Sequence, residues 1–202
     1  MPDFDLNCQG LPCPQPVLRC RDCIDKEKPE GLRVTVDNGA ARDNVSRYLV
    51  SQGYEVEGGW LVTGMRGGDA ACECEVMSNE AIAKTASGAT NSGIVAFITA
   101  DTIGKGDDEL GGKLMFNFLA TLPELGPDLW RIVLVNGGVK LACQGSPCLE
   151  KLEALAAKGV TILVCGTCLD FFGLMEKKAV GQTTNMLDVV TSLHIAEKVI
   201  QV

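Results

Sequence analysis

Between Met77 and Ser92 the chain reads MSNEAIAKTASGATNS, small and polar for most of its length, with no apolar stripe that would dock a helix. Such a segment cannot bury enough surface to offset the entropy of ordering it, so it reads as a linker. The 202 residues must therefore build their cores separately, in residues 1–76 and 93–202, and each span is long enough to hold one. With 46% hydrophobic and 22% charged residues, the chain does not have the composition of a disordered one.

The first span alternates strand and helix. DFDLNC reads as a strand, PQPVLRCRDCIDKE as a helix with Val17, Leu18 and Ile24 apolar, and GLRVTVD as a second strand. NGAARDNVSRYLVSQG is a second helix, with Gly53 placed to stop it. YEVEG and WLVTG follow as strands, then a turn at MRGGD and a last alternating run, AACECEV. Two helices on one face of a small mixed sheet is the simplest packing of this order.

The second span repeats strand and helix in the manner of a parallel sheet with helices on both faces. GIVAFITAD, WRIVLVNGG and VTILVCG read as buried strands. DDELGGKLMFNFLATLPEL reads as a helix with Leu110, Leu114, Met115, Phe118 and Leu122 at helical spacing. SPCLEKLEALAAKG reads as another, capped by Ser146, with Pro147 at its first position and Gly159 as its stop. CLDFFGLMEK starts a third helix, and NMLDVVTSLHIAEKVIQV runs from a helix into a final strand. Only Gly104 and Gly106 follow the first strand, so neither a dinucleotide fingerprint nor a phosphate loop is present.

The net charge of −8 is shared between the halves, and neither offers the basic field that phosphate backbones require; direct nucleic-acid binding is excluded. The apolar runs are strand-length, and MPDFDLN has no basic region leading into an apolar one, so a soluble, cytoplasmic protein with no membrane partner is expected. Ten cysteines in such a chain are read as free thiols in a reducing compartment rather than as a disulfide scaffold.

The first thiol of interest is Cys13 in GLPCPQPVLRC. Proline is tolerated in a first helical turn because the amide it lacks has no intrahelical partner there. Pro14 and Pro16 thus place the helix start at Cys13, which becomes the N-cap, its sulfur facing the helix and the amide of Gln15. The helix dipole then favours a thiolate, only moderately because Pro16 removes one amide. Free cysteines also pack as small buried residues, and the local geometry alone leaves both readings open. CQGLPCPQPVLRC followed by GLRVTVDNGAARDNVSRYLVSQGYEV resembles the TusA (SirA-like) sulfur-carrier family, whose marker is a Cys-Pro-x-Pro helix start. The resemblance implies that Cys13 carries a persulfide received from a cysteine desulfurase or other persulfide donor.

The second is LVCGTCLDFF, where a strand runs into Cys165 and a helix begins near Cys168, at the carboxyl edge where open α/β sheets bind their ligands. A redox Cys-x-x-Cys is the functional reading and two packing cysteines the alternative; Gly166 and Thr167 are small and leave the pair approachable. Residues 93–202 resemble DsrE-like proteins. Counted back from Gly173, Cys165 falls where relay members keep their acceptor cysteine, and Cys168 is an addition to that pattern. The whole order resembles the YedF family, associated with selenium metabolism. The fold so implied is α/β: a small two-layer βαβαβ-type TusA-like sandwich (1–76), a linker (77–92) and a Rossmann-like three-layer DsrE-type domain (93–202). The resemblance also implies a homo-oligomer and a selenium-pathway acceptor.

Cys20 and Cys23 share a helix face and read as packing; Cys72 and Cys74 share a strand face. Cys143 and Cys148 flank QGSP, a loop expected to open at the same sheet edge as Cys165, and are candidate accessory thiols. A structural zinc needs two thiol pairs on short knuckles; only Cys165 and Cys168 have the geometry, a four-thiolate site of Cys143, Cys148, Cys165 and Cys168 is the minor alternative, and no metal and no cofactor is assigned. His194, the only histidine, has no paired cysteine in prospect and reads as structural or exposed. Asp37, Asn38, Arg42 and Asp43 occupy a strand-to-helix turn, with Asp43 the expected cap, and Asp101, Asp107 and Asp108 are expected to cap or solvate the next helix.

The favoured function is a sulfurtransferase-like persulfide-type carrier of sulfur or selenium. In it Cys13 accepts the chalcogen and Cys165 and Cys168 accept or reductively release it, Cys168 attacking a persulfide at Cys165. The alternative is a thiol-disulfide oxidoreductase using Cys165 and Cys168, with the first domain a docking module; an adaptor without chemistry is a third.

Overall fold

A computed structural model describes residues 4–66 and 93–202. Its contacts divide the chain into two units, Met1–Thr90 and Asn91–Val202. The run AACECEV, with Cys72 and Cys74, and the segment 77–92 lie outside the described residues.

In the first unit the order is β1 (Phe4–Asn7), α1 (Gln15–Glu27), β2 (Gly31–Thr35), α2 (Gly39–Ser51), β3 (Tyr54–Glu57) and β4 (Leu61–Arg66). The sheet order is β1-β2-β4-β3, with β1 parallel to β2 and β4 antiparallel to both its neighbours. Val17, Cys20 and Ile24 of α1 and Val45 and Leu49 of α2 share one core with Leu32, Val34 and Val62 of the sheet. That gives the two layers the alternation predicts. Met65 and Arg66, expected in a turn, instead continue β4 opposite Glu55 and Tyr54. The reason is packing: Gly64 leaves room for Leu49 and Tyr54, which would lie 3.2 and 3.3 Å from a Cβ there, and the Arg66 guanidinium sits 5.9 Å from the Tyr54 ring centre.

The cap of α2 is Asn38, whose side-chain oxygen accepts the Ala41 amide at 2.7 Å. Asp43 pairs with Arg42 at 2.9 Å instead of capping. It lies too far into the helix to reach a free first-turn amide, whereas Asn38 has the extended backbone of an N-cap.

The second unit runs β5 (Ile94–Ile98), α3 (Asp108–Thr121), β6 (Leu129–Leu134), α4 (Leu149–Ala157), β7 (Thr161–Cys165), α5 (Gly166–Phe171), β8 (Gln182–Thr184), α6 (Met186–Ile195) and β9 (Lys198–Gln201). Tight 3-10 segments cover Leu122–Asp128, Asn136–Ala142 and Met175–Lys177. The sheet is parallel throughout, in the order β8-β7-β6-β5-β9. On one face Met115 and Leu119 of α3, Leu152 and Leu155 of α4 and Leu169 of α5 pack with Ile98, Ile132, Leu134, Ile162 and Val164. On the other, Val189 of α6 packs with Val95, Val133 and Leu163. The result is three layers, with one face far more heavily covered than the other.

Several local expectations shift. Leu110 and Leu114 point outward, and the buried face of α3 is Gly111, Met115 and Leu119. Gly111 causes the rotation: a Cβ there would lie 2.9 Å from Thr102, and its carbonyl accepts the Ile103 amide at 3.1 Å, so the loop after β5 claims that side of the helix. Helix α4 begins at Leu149, later than expected, with Cys148 at the N-cap and the Ser146 hydroxyl oxygen accepting the Cys148 amide at 3.2 Å. Gly159, at φ +91°, ends that helix as predicted. Strand β8 was not anticipated because its buried side chains are Thr183 and Thr184 rather than aliphatic.

At the carboxyl end of β5 the Ile98 carbonyl accepts the Val135 amide at 3.0 Å, and a Cβ on Gly138 would lie 2.5 Å from the same oxygen. Gly138→Ala is expected to destabilise the second unit by about 1–3 kcal/mol through this overpacking. Urea unfolding followed by Trp130 in a Trp60→Phe background, which removes the only other tryptophan, measures it. An unchanged midpoint would contradict the close approach.

Candidate functional site

The loop carrying Cys13 is built from both sides. Cys8 continues β1 with its amide on the Thr35 carbonyl at 2.9 Å, and Gly10 turns at φ +67°. The Gly10 amide donates to the Asp37 carboxylate at 2.5 Å, and the other Asp37 oxygen accepts from the Asn38 side chain at 3.0 Å. Asp37 thereby fastens the Cys13 loop to the start of α2.

The Cys13–Pro14 peptide is cis, and the Gln15 amide closes a tight turn on the Pro12 carbonyl at 2.8 Å. The Val17 and Leu18 amides bond to the Pro14 carbonyl, so the N-cap is Pro14, with Pro16 in the first turn and no side-chain cap. This corrects the sequence expectation. Cys13 stands one residue before the cap, and the Gln15 amide meant to face its sulfur is already bonded to Pro12. Cys13 is half-buried at the lip of the loop.

The other described cysteines of this unit behave as packing. Cys8 and Cys20 are fully buried, and Cys23 is half-buried against the same core. Burial pushes the thiol of Cys20 far above its ordinary range, with Cys8 and Cys23 adding to the effect. Burial likewise raises Cys8, partly opposed by Arg19, and Cys23, reinforced by Glu27.

In the second unit the Cys-Gly-Thr-Cys stretch crosses a strand-to-helix junction. Cys165 ends β7, stands at the N-cap of α5 and is 3% exposed. Gly166 is buried, Thr167 is exposed and Cys168 is half-buried in the first turn of α5. The Cys168 sulfur accepts the backbone amide of Asn136 at 3.1 Å. Asn136 follows β6, the strand beside β7, and holds φ +47°, a left-handed conformation that asparagine tolerates better than most residues. Asn136 was missed from sequence, although Asn-Gly-Gly directly after a strand signals a turn with positive φ.

Cys143 and Cys148 are 3% and 2% exposed and border a pocket of about 530 Å³ whose wall also includes Asp101, Lys140, Phe172 and Lys177. Cys165 and Cys168 are not part of its lining. The Cys143 thiol donates to the Val139 carbonyl at 3.3 Å. Burial raises both thiols, with Lys178 and Lys177 partly opposing it at Cys143. Lys140 is paired with Asp101 at 3.1 Å.

Asp107 caps α3 through the Leu110 amide at 2.8 Å, and Asp108 lies in the first turn. His194 is exposed in the last turn of α6. Among the described residues, no group of three or more His, Cys, Asp or Glu side chains is placed to hold a metal ion. No helix there is long and apolar enough to cross a membrane.

The family model described as "Sulfurtransferase TusA" matches residues 4–59, and that described as "DsrE/DsrF-like family" matches residues 98–202. Among solved structures, the crystal structure of the ychN protein from E. coli is similar over 55% of this chain and 99% of that one, at 16% identity and a TM-score of 0.44. No curated protein matches the chain.

Burial ranks the thiols. In the reduced native protein, limiting iodoacetamide near neutral pH is expected to label Cys13 and Cys168 on the order of tenfold faster than Cys8, Cys20, Cys143, Cys148 and Cys165. Peptide mass spectrometry reads the ranking, and Cys148 labelled ahead of Cys168 would contradict it. The raised thiol of Cys20 also sets a pH dependence. It keeps its proton longer folded than unfolded, so its contribution to stability is present below about pH 9, its ordinary value, and is lost as pH rises beyond that. The thermal stability of the first unit should fall on the alkaline side, with a shallower slope in Cys20→Ala; identical slopes would remove Cys20 as a cause.

Proposed function

Because this chain belongs to the DsrE/DsrF-like family and joins that domain to a TusA-type unit, we propose that it is a persulfide-type chalcogen carrier. Both units are of sulfur-transfer families. Cys13 accepts the transferred atom, and the Cys165 and Cys168 pair accepts it in turn or releases it in reduced form. The observation that carries this reading is the contrast among the thiols. The second unit buries Cys143, Cys148 and Cys165 and leaves Cys168 half-buried in the first turn of α5, above the ends of β6 and β7; the first buries Cys8 and Cys20 and leaves Cys13 half-buried on the loop before α1, with Cys23 half-buried within α1.

Loading balances simply. The Cys13 thiolate attacks the outer sulfur of a donor persulfide, the donor thiolate leaves, and Cys13 holds the sulfane sulfur without net oxidation. A cysteine desulfurase or similar persulfide donor in a reducing cytoplasm supplies it. The covalent join then presents the two thiols to each other at an effective concentration far above that of separate proteins. Selenium can follow the same steps, and a selenium-pathway acceptor fits the reading as the recipient.

The test is peptide mass spectrometry of the reduced full chain after reaction with a cysteine desulfurase and cysteine, then with selenocysteine. An adduct is expected on Cys13 first and on the second unit later, and Cys13→Ser should abolish the later adduct. A Cys165–Cys168 disulfide that forms while Cys13 is never modified would overturn the carrier in favour of a thiol-disulfide oxidoreductase with the first unit as a docking module.

A further inference from the structure

We propose that within the second unit Cys168 takes up the transferred atom and Cys165 resolves it, with the backbone amide of Asn136 holding the Cys168 sulfur through both steps. The proposal rests on the carrier reading and fixes the order of the two thiols, the reverse of the order implied by resemblance.

Access decides the first step. The donor sulfur arrives attached to another thiol on a bulky carrier, and a Cys165 that is 3% exposed at the end of β7 cannot meet it without local opening. Cys168 is half-buried, one turn further along, with exposed Thr167 before it and exposed Asp170 after it. Its sulfur already has a donor, the Asn136 amide at 3.1 Å. That N–H stabilises negative charge on sulfur as the thiolate attacks and restrains the sulfur once the persulfide has formed.

The second step follows from position in the turn. Cys165 is the N-cap of α5 and Cys168 its third helical residue, positions three apart on one face of the first turn, the spacing at which each side chain of a capping box lies over the other residue's backbone. In uptake, the Cys168 thiolate attacks the outer sulfur of the donor persulfide, the donor thiolate departs, and Cys168 becomes a persulfide. In release, the Cys165 thiolate attacks the Cys168 sulfur, hydrosulfide departs, and a Cys165–Cys168 disulfide remains. The two thiols together lose two electrons and the sulfane sulfur gains them. A small dithiol from solution reduces the disulfide and resets the site.

Asn136 is a positioning residue in this scheme. Its amide points at Cys168 because its backbone is left-handed, which glycine would reproduce and valine would not.

The experiment uses the full chain carrying Cys13→Ser, inorganic polysulfide as the sulfur source, and peptide mass spectrometry with sulfide measured in parallel. With Cys165→Ser added, the persulfide is expected to accumulate on Cys168 with no burst of sulfide. With Cys168→Ser added, Cys165 is expected to stay unmodified. Asn136→Val should slow loading of Cys168 about tenfold, the size of one lost hydrogen bond to a charged group, while Asn136→Gly keeps the parent rate. A persulfide on Cys165 in the Cys168→Ser protein, formed as fast as in the parent, overturns the order while leaving the carrier intact. Equal loading of Asn136→Val and Asn136→Gly removes the role of the amide. Failure of polysulfide to load either cysteine in any variant overturns both the order and the carrier reading of this unit.

Discussion

The second unit depends on how closely the turn after β6 lies over the end of β5. One oxygen, the Ile98 carbonyl, accepts the Val135 amide and lies under Gly138, where any side chain would collide with it. That contact fixes the path of residues 136–142. One end of the segment presents the Asn136 amide to Cys168. The other carries Lys140, which pairs with Asp101 beyond β5 and stands over the Phe172 ring at 5.3 Å. Thiol placement and pocket wall are thus two results of a single backbone approach.

Burial then ranks the thiols by their access to a donor from solution. Removing a thiol from water raises the cost of its anion, and five of the described cysteines are held above their ordinary range chiefly by that effect. Cys13 owes its place to a loop fastened by Asp37, and Cys168 to the first turn of α5 above the strand ends. A chain rich in cysteine can in this way keep a selective site: most of the described cysteines are buried, and selectivity comes from where the backbone leaves a thiol accessible.

Most of the architecture was legible because it rests on periodicity. Alternation marked the strands of the first unit and continuous apolar runs those of the second, while the Cys-Pro-Gln-Pro and Cys-Gly-Thr-Cys stretches stood out by spacing and took their reading from family resemblance. Departures came where one atom's neighbour, remote in sequence, decided the outcome. The Gln15 amide bonds to Pro12, which displaced the helix start from Cys13 to Pro14. The pressure of Ile103 and Thr102 on Gly111 turned α3 and left Leu110 and Leu114 outward, although their spacing fits a buried stripe equally well. The Asn136 amide reaches Cys168 across thirty-two positions of chain, a pairing no local pattern encodes.

The pairing of β5 with β9 has a kinetic side. Ile94 lies opposite Lys198, so a central strand of the sheet waits for a partner roughly a hundred residues further along the chain. In the first unit the described strands pair over far shorter separations, Phe4 with Leu32 and Tyr54 with Arg66. During synthesis the first unit can therefore reach its native fold, Cys13 loop included, while β5 still exposes an unpaired edge. The period of greatest vulnerability to aggregation belongs to the second unit, and it closes only when β9 emerges.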